Sequence, residues 1–474
     1  MMTGNRQKQV TTTRAERKKI GKSLRQQVPL ESHSQWKPAA DRPDPLVLLQ
    51  AQDESRLEHL LPIKYGRMLV SPFTFYRGSA VLMAADLAGK PVSGIEVMLC
   101  GDAHLLNFGI FASPERRMVF DLNDFDEAFP GPWEWDLRRL AASAVIAGRD
   151  NGFSEQACRD LAVDVALEYT NAMNHFSQMR TLEQWYYHVN VDSLLKVFEQ
   201  SSKNGKKSAA KMVKKAQTKT HEQTVEQLTT LEDDRCRIIS DPPLLVPFRE
   251  MGQTYPGRAD LKASEDQVQY AWQQYLDSLP DERRYLLQRY QIIDIALRVG
   301  GIGSVGTRCL IVLLKGGAAD DVLILQLKEA GPSALEPYLR QRNYSNQAER
   351  VVIAQQLMQA TSDIFLGWHS SEDIGDDYYD YYWRQLKDMK GSADVASLDE
   401  ASLRAYLVVC SLCLARAHGR TGDEIKIRGY LGRKDTFAKA IGDFSVVYAD
   451  QAEQDYEALV KAVKKGRIAA ETGV

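Results

Sequence analysis

Two short runs carry the residues that could do chemistry. In the first, Cys100-Gly101-Asp102-Ala103-His104-Leu105-Leu106-Asn107, an aspartate, a histidine and an asparagine follow an apolar stretch. In the second, Asn123-Asp124-Phe125-Asp126-Glu127, three carboxylates crowd together. Loops at strand ends can bring such groups to one point. Carboxylates that close repel one another unless a cation or a proton relieves them. Hard oxygen ligands suit Mg²⁺, which takes one or two carboxylates together with the phosphates of a substrate. The pattern predicts a divalent-metal, phosphate-handling site. Asn107, Asp124 and Asp126 are its candidate metal ligands, and Asp102 and His104 its candidate catalytic groups.

The spacing narrows that chemistry. An Asp followed five positions later by Asn is the arrangement of a kinase catalytic loop, where the Asp orients or deprotonates an acceptor hydroxyl and the Asn binds metal. An Asp-Phe pair after a second short strand is where such enzymes place their main Mg²⁺ ligand, and Asp124-Phe125 stands there. His104 is expected to support the loop rather than take the proton. Further on, Gly301-Ile302-Gly303-Ser304-Val305-Gly306 fits G-x-G-x-x-G. A dinucleotide-binding version must open a helix. Here β-branched and apolar residues follow, so the glycines are expected in a hairpin folded over ATP phosphates. Lys328 closes a third strand in LILQLKEA, the place of a lysine that contacts the α- and β-phosphates. Its expected partner is Glu336, on a helix beginning near Ser333 as N-cap, with Glu349 as the other choice. Arg77, in FYRG, is a candidate for an anionic group or for an ion pair to a core acid.

Several elements must position these groups. PFTFYRGSAVLMAADLAGK predicts a helix stopped by Gly89, GIEVMLC a strand running into Gly101, and RMVFD a second strand before Asp124. LRRLAASAVIAGRD opens a helical stretch that continues to about Gln200. IALRVGG, RCLIVLLK and VLILQLKEA read as three strands joined by turns. Helical patterns follow at SALEPYLRQ and AERVVIAQQLMQATSDIF, then strand-like DYYDYYWRQ, then helices to about Lys464. The expected class is α+β, in four stretches: a basic mobile tail over 1–45, a helical large lobe over 46–280, a small β-rich nucleotide lobe over 281–395, and C-terminal helices over 396–474 completing the large lobe. Gly301 lies about two hundred residues after Asp102, the reverse of ordinary kinase order, so a circular permutation is expected.

Composition sets outer bounds. A chain of 474 residues, 44% of them hydrophobic, can bury more than one lobe. A net charge of −3 argues against a nucleic-acid binder, which would show a strongly basic domain. No run approaches the ~18 apolar residues of a membrane helix. The basic N-terminal run lacks the apolar segment of a secretory signal. Six cysteines are scattered, and Cys410 and Cys413 stand in an apolar helical run without a second Cys/His pair at zinc spacing. A reducing, cytoplasmic compartment is expected. Residues 203–219 hold seven lysines and no acid, which reads as a solvated loop or exposed helix.

From about Pro62 to Leu459 the chain resembles a bacterial family, domain of unknown function 2252. The resemblance runs through SPFTFYRGSA, CGDAHLLNFG, VFDLNDFDEAFPGPWEWDLRRLAAS, GIGSVGTRC, LQLKEA and RQLKDMKGS. That family has no settled activity. At greater distance, the acidic runs are similar to the aminoglycoside and choline phosphotransferases of the kinase-like superfamily. Their H-G-D-x-H-x-x-N falls on residues 100–107, with Cys100 in place of the His, and their later D-L-A on Asp136-Leu137-Arg138. The resemblance implies a two-lobed kinase-like fold, Asp102 as base, Asn107 and Asp124 as metal ligands, and Asp136 as a structural aspartate opening a helix. The function expected is an ATP- and Mg²⁺-dependent phosphotransferase acting on a hydroxyl of a small-molecule or protein acceptor. A metal-dependent phosphoesterase would instead hydrolyse without ATP and require His104. A non-catalytic nucleotide-binding regulator would bind ATP without turnover.

Overall fold

The long alanine-rich segment after Trp135 can turn only inward, because it has almost no polar face. It forms the helix Glu134–Asp150, buried along nearly its whole length. The helices Glu155–Phe176, Glu400–Thr421 and Thr436–Lys464 pack around it and share one hydrophobic core with it. Ser154 and Asp399 cap the first two of these, each accepting from a backbone N–H of the first turn. Cys410 and Cys413 are buried in that core. The computed structural model describes residues 12–232, 235–256, 264–318, 320–340, 344–372, 378–386 and 388–473.

The strands, in chain order, fall into four antiparallel groups. β1 (Glu96–Leu99) will pair with β4, while β2 (Phe108–Ala112) and β3 (Met118–Leu122) form a hairpin. β4 (Phe129–Pro132) closes on β1, and β5 (Val189–Asn190) adds to the far side of β3. β6 (Thr229–Glu232) and β7 (Arg235–Ile238) make a separate hairpin. The largest sheet holds β8 (Leu245–Pro247), β9 (Gln291–Arg298), β10 (Cys309–Lys315), β11 (Val322–Glu329), β12 (Gly367–Glu372) and β13 (Tyr378–Gln385), in the order β12-β13-β11-β10-β9-β8. The helix Gln347–Met358 connects β11 to β12 and lies against β12 and β13. The class is α+β.

Four expectations are corrected by this arrangement. The basic tail is packed from residue 12 onward, residues 1–11 lying outside the described ones. A Thr13–Glu16 capping box starts the helix Arg14–Ser23, which docks on the helix Glu424–Leu431. Arg17 reaches Asp423 at 2.7 Å, and Arg25 donates to the carbonyls of Gly429 and Tyr430 at 2.7 and 2.6 Å. Two of these charges, Arg17 and Arg25, have partners some four hundred residues away.

The β-rich unit expected over 281–395 also draws on residues well before 281, β8 among them. The helix His221–Leu228 touches β11, and the helix Glu265–Asp277 packs Trp272, Tyr275 and Leu276 against Leu325 and Trp383. Tyr275 stacks on Trp383 with ring centroids 4.5 Å apart. The segment expected as one helix before Gly89 is two, Pro72–Arg77 and Ala80–Leu87, broken at Gly78. No helix begins at Ser333: only the short 3₁₀ turn Glu336–Tyr338 forms, since Pro337 lacks the N–H a continuing helix needs. The next helix starts at Gln347, capped by Asn346.

The lysine run is the helix Lys203–Thr218, which buries Ala209, Met212, Val213 and Ala216 and leaves its lysines exposed. Among the described residues no helix is long and apolar enough to cross a membrane.

Candidate functional site

The buried residues of β1 deliver the chain to Gly101, which turns with φ at +82°. A Cβ there would lie 2.1 Å from the Glu127 carbonyl oxygen, so the two acidic loops touch where only glycine fits. The backbone N–H groups of Cys100 and Gly101 donate to the Asp136 carboxylate at 2.8 and 3.0 Å. Asp136 lies in the first turn of the helix Glu134–Asp150, and its Oδ2 is 3.2 Å from His418 Nε2. A buried acid on a rigid helix thus sets the direction in which the loop leaves the strand.

Asp102 follows. Its Oδ1 accepts from Arg139 Nε at 2.8 Å, and its Oδ2 lies 3.5 Å from His104 Nε2. Burial raises its proton affinity, and the Arg139 and Arg77 guanidiniums work against that. His104 caps the turn Leu105–Asn107 by accepting from the Leu106 N–H at its Nδ1, 3.1 Å away. That bond leaves Nε2 as the protonated nitrogen of a neutral ring. Burial, then Arg77 and Arg139, push its pKa well down. Asn107 donates its side-chain N–H to the Asp102 carbonyl, leaving Oδ1 as its remaining ligand atom. Its own carbonyl accepts from Asn123 N at 2.9 Å. The β2–β3 hairpin, with Phe108 opposite Leu122, lays the second loop against the first in this way.

In the second loop, Asp124 and Asp126 part company. Asp126 Oδ1 accepts from Tyr382 Oη at 2.8 Å, and its Oδ2 is paired with Lys328 Nζ. Each oxygen thus has one partner, and Asp126 is held toward the large sheet by Tyr382 and Lys328. Lys328 correspondingly pairs with Asp126 and not with Glu336. The reason is the broken helix: Ser333 donates to the Glu127 carbonyl at 2.9 Å, and Glu336 is left in its short turn. Arg350, fully buried on the helix Gln347–Met358, donates to the carbonyls of Asp126 and Ala128 at 2.9 and 2.5 Å. Burial and repulsion from Asp126 raise the proton affinity of Asp124, with Lys328 and Arg384 opposing.

The glycine segment turns between β9 and β10 through Ile302–Ser304, as the hairpin reading required. It is gripped from behind. Arg56 donates to the carbonyls of Val305 and Gly303 at 2.5 and 2.9 Å, Arg67 donates to that of Gly300, and Leu57 N bonds the Gly306 carbonyl at 2.7 Å. Gly306 has φ at +88° and would press a Cβ onto Arg56 at 3.0 Å. Gly301 and Gly303 have nothing within 4 Å of an added Cβ, which leaves room for another molecule to approach their backbone. Ser304 Oγ turns inward, donating to the Gly301 carbonyl at 3.1 Å.

These pieces enclose one chamber of about 350 Å³. Asp102, His104, Asn107 and Asp124 face it from the helical body, Gly301, Gly303 and Ser304 from the glycine turn, and Lys328 from β11. Gly306, Asp126 and Glu336 are not among its walls. The chamber also exposes residues that sequence reasoning passed over, Arg298, Gln326, Arg384 and Lys390. Arg384 donates to Gln326 Oε1 at 2.9 Å. Lys390 is held to a pKa of about 7 by burial and by Arg384, with Asp124 opposing. Arg139 was also missed, though its place three residues after Asp136 on one helix was a usable signal. Arg384 and Lys390 stand in RQLKDMKGS, one of the runs that carry the family resemblance, and that was the signal for them.

The donor set was tested against Mg²⁺. Among the described residues no three His, Cys, Asp or Glu side chains converge into a metal cluster. Asp124 with Asn107 Oδ1 nevertheless fits an ion that takes one or two protein oxygens and completes its shell with phosphates and water.

No curated protein and no solved structure matches this chain. A family model does, described as an uncharacterized protein conserved in bacteria and spanning residues 56–462, which takes in both acidic loops, the glycine turn, Lys328 and the C-terminal helices. The chain belongs to that family, domain of unknown function 2252.

Proposed function

We propose that the chain is a kinase-like phosphotransferase, with permuted lobe order, that uses ATP and Mg²⁺ to phosphorylate a hydroxyl acceptor. One observation carries the reading: Asp102, Asn107, Asp124, the glycine turn and Lys328, drawn from segments up to 226 residues apart, line a single chamber. The order of parts supports it. A glycine turn joins the first two strands of a meander, a lysine sits on the third, and a helix intervenes before the last two. The helical body is built from both ends of the chain, as a permutation requires.

In this reading Asp102 receives the acceptor hydroxyl on its Oδ2, the oxygen Arg139 leaves free. Burial raises its proton affinity against the opposing guanidiniums, which suits it to orient the hydroxyl and accept its proton late. His104, neutral and bonded to its own loop, holds the turn. Lys328 and the backbone of the glycine turn contact the phosphate chain. Mg²⁺ on Asn107 and Asp124 would neutralise charge on the transferred group.

Calorimetric titration with ATP, with and without Mg²⁺, on wild type and Lys328→Ala tests this. Metal-dependent binding that weakens about tenfold or more in the variant is expected, the loss of one charge-assisted contact. Absence of binding with and without Mg²⁺ would refute the reading. Binding without turnover on any acceptor would leave the regulator.

A further inference from the structure

A pocket that selects a nucleobase needs apolar or aromatic walls with a few polar groups to fix orientation. This chamber is built otherwise. No Phe, Tyr or Trp side chain is among its described walls, and its apolar contribution is Val299, Ile302 and Leu386. Five cations reach it, Arg77, Arg298, Lys328, Arg384 and Lys390. Lys328 is matched by Asp126, and the chamber's Asp102 by Arg139 outside the walls. That leaves Arg77, Arg298, Arg384 and Lys390 against the single carboxylate of Asp124.

Three of these come from strands of the large sheet or the segment just after them. Arg298 ends β9, Arg384 is on β13 beside Gln326, and Lys390 follows β13. Their mutual repulsion is visible in Lys390, whose proton affinity is depressed by burial, Arg384, Lys328 and Arg298, and supported by Asp124. Neither Lys390 nor Arg298 has a bonded carboxylate among the described residues. Like charges confined in a walled space are relieved by a polyanion.

We infer that Arg298, Arg384 and Lys390 form a second anion subsite, so that the chamber grips its donor by a linear polyphosphate chain. This rests on the phosphotransferase reading for the word donor, but the subsite itself does not. The ligand class is a magnesium polyphosphate chain, whether of a nucleoside triphosphate or inorganic.

The test is calorimetry of the full chain with the Mg²⁺ forms of ATP, GTP, CTP and UTP, with magnesium tripolyphosphate, and with adenosine. Tripolyphosphate is expected to displace the four nucleotides, and adenosine alone to bind undetectably. Lys390→Met should weaken all four and tripolyphosphate by one common factor of about ten. Arg298→Gln should do the same, and carries the test where Lys390→Met fails to fold by circular dichroism. ATP bound and not displaced by tripolyphosphate would overturn the subsite and leave the proposed function standing. Tripolyphosphate bound without any nucleotide would uphold the subsite and overturn ATP as donor. If none of them binds, both fall.

Discussion

Two buried aspartate–arginine pairs sit close together in this chain and do different things. Asp121 on β3 has both oxygens 2.7 Å from Arg416 Nη2, and each also accepts a backbone N–H, from Leu122 and Ala360, at 2.9 Å. Nothing is left over. Asp102 gives Arg139 one oxygen and turns the other toward His104 and the chamber. The residue types are alike and do not identify the reacting acid, although the Asp102 side chain is 17% exposed against 2% for Asp121. The unsatisfied oxygen does. A carboxylate with every lone pair engaged joins segments, while one with an oxygen free in a walled space can meet a substrate.

The comparison breaks most visibly at Asp102→Asn. That change keeps the shape and removes the proton acceptor. Phosphate transfer, followed as ADP release with an acceptor, should fall by about 10³-fold, within the range for losing a general base. The denaturation midpoint should fall by less than in Asp121→Asn, since the Asp102 side chain is partly exposed. An equal loss of stability would mean that Asp102 is structural like Asp121.

Asp121→Asn should show the mirror image. Breaking a fully buried pair costs about 3–5 kcal/mol, read as a lower urea midpoint. Nucleotide affinity of the folded fraction should be unchanged. Affinity lost with stability retained would reverse the assignments of the two pairs.

A smaller effect separates structural from reacting imidazoles. Burial holds His33 near a pKa of about 3, and the ring lies 2.6 Å from Tyr430 Oη. The unfolded chain protonates His33 near its ordinary value of about 6.5. A pKa depressed in the fold means that the unfolded state binds the extra proton first. The stability His33 contributes is therefore complete above about pH 6.5 and is lost as pH falls toward 3. Between pH 7.5 and 5, wild type should lose more stability than His33→Gln in matched urea titrations. Parallel losses would show that His33 is not neutral in the fold.

The parts of the site that were legible in the sequence are those whose chemistry is local. Asp102 and Asn107 share one turn, Asp124 follows one short strand, and the glycines span one hairpin, so spacing alone constrains their geometry. The misreadings came from partners far along the chain. Lys328 was given a nearby glutamate, but it found Asp126, 202 residues earlier in sequence. The basic N-terminal residues looked solvated because Asp423 and the Gly429 carbonyl lie at the other end of the chain. The helix expected at Ser333 failed for a local reason that the sequence did contain, Pro337.

By itself, then, the sequence determined an α+β chain of this family, two acidic loops and a glycine hairpin with a strand-end lysine. Those follow from periodicity, turn residues and spacing, all set by covalent neighbours. Tertiary structure alone decided which charges are matched and which are left over. Asp126 was neutralised by Lys328 and Asp102 was half neutralised by Arg139, while Arg298, Arg384 and Lys390 were brought to one chamber in which Asp124 is the acid left to them. Charge pairing depends on distance in space and on burial, and a folded chain sets both through contacts that no local window of sequence contains.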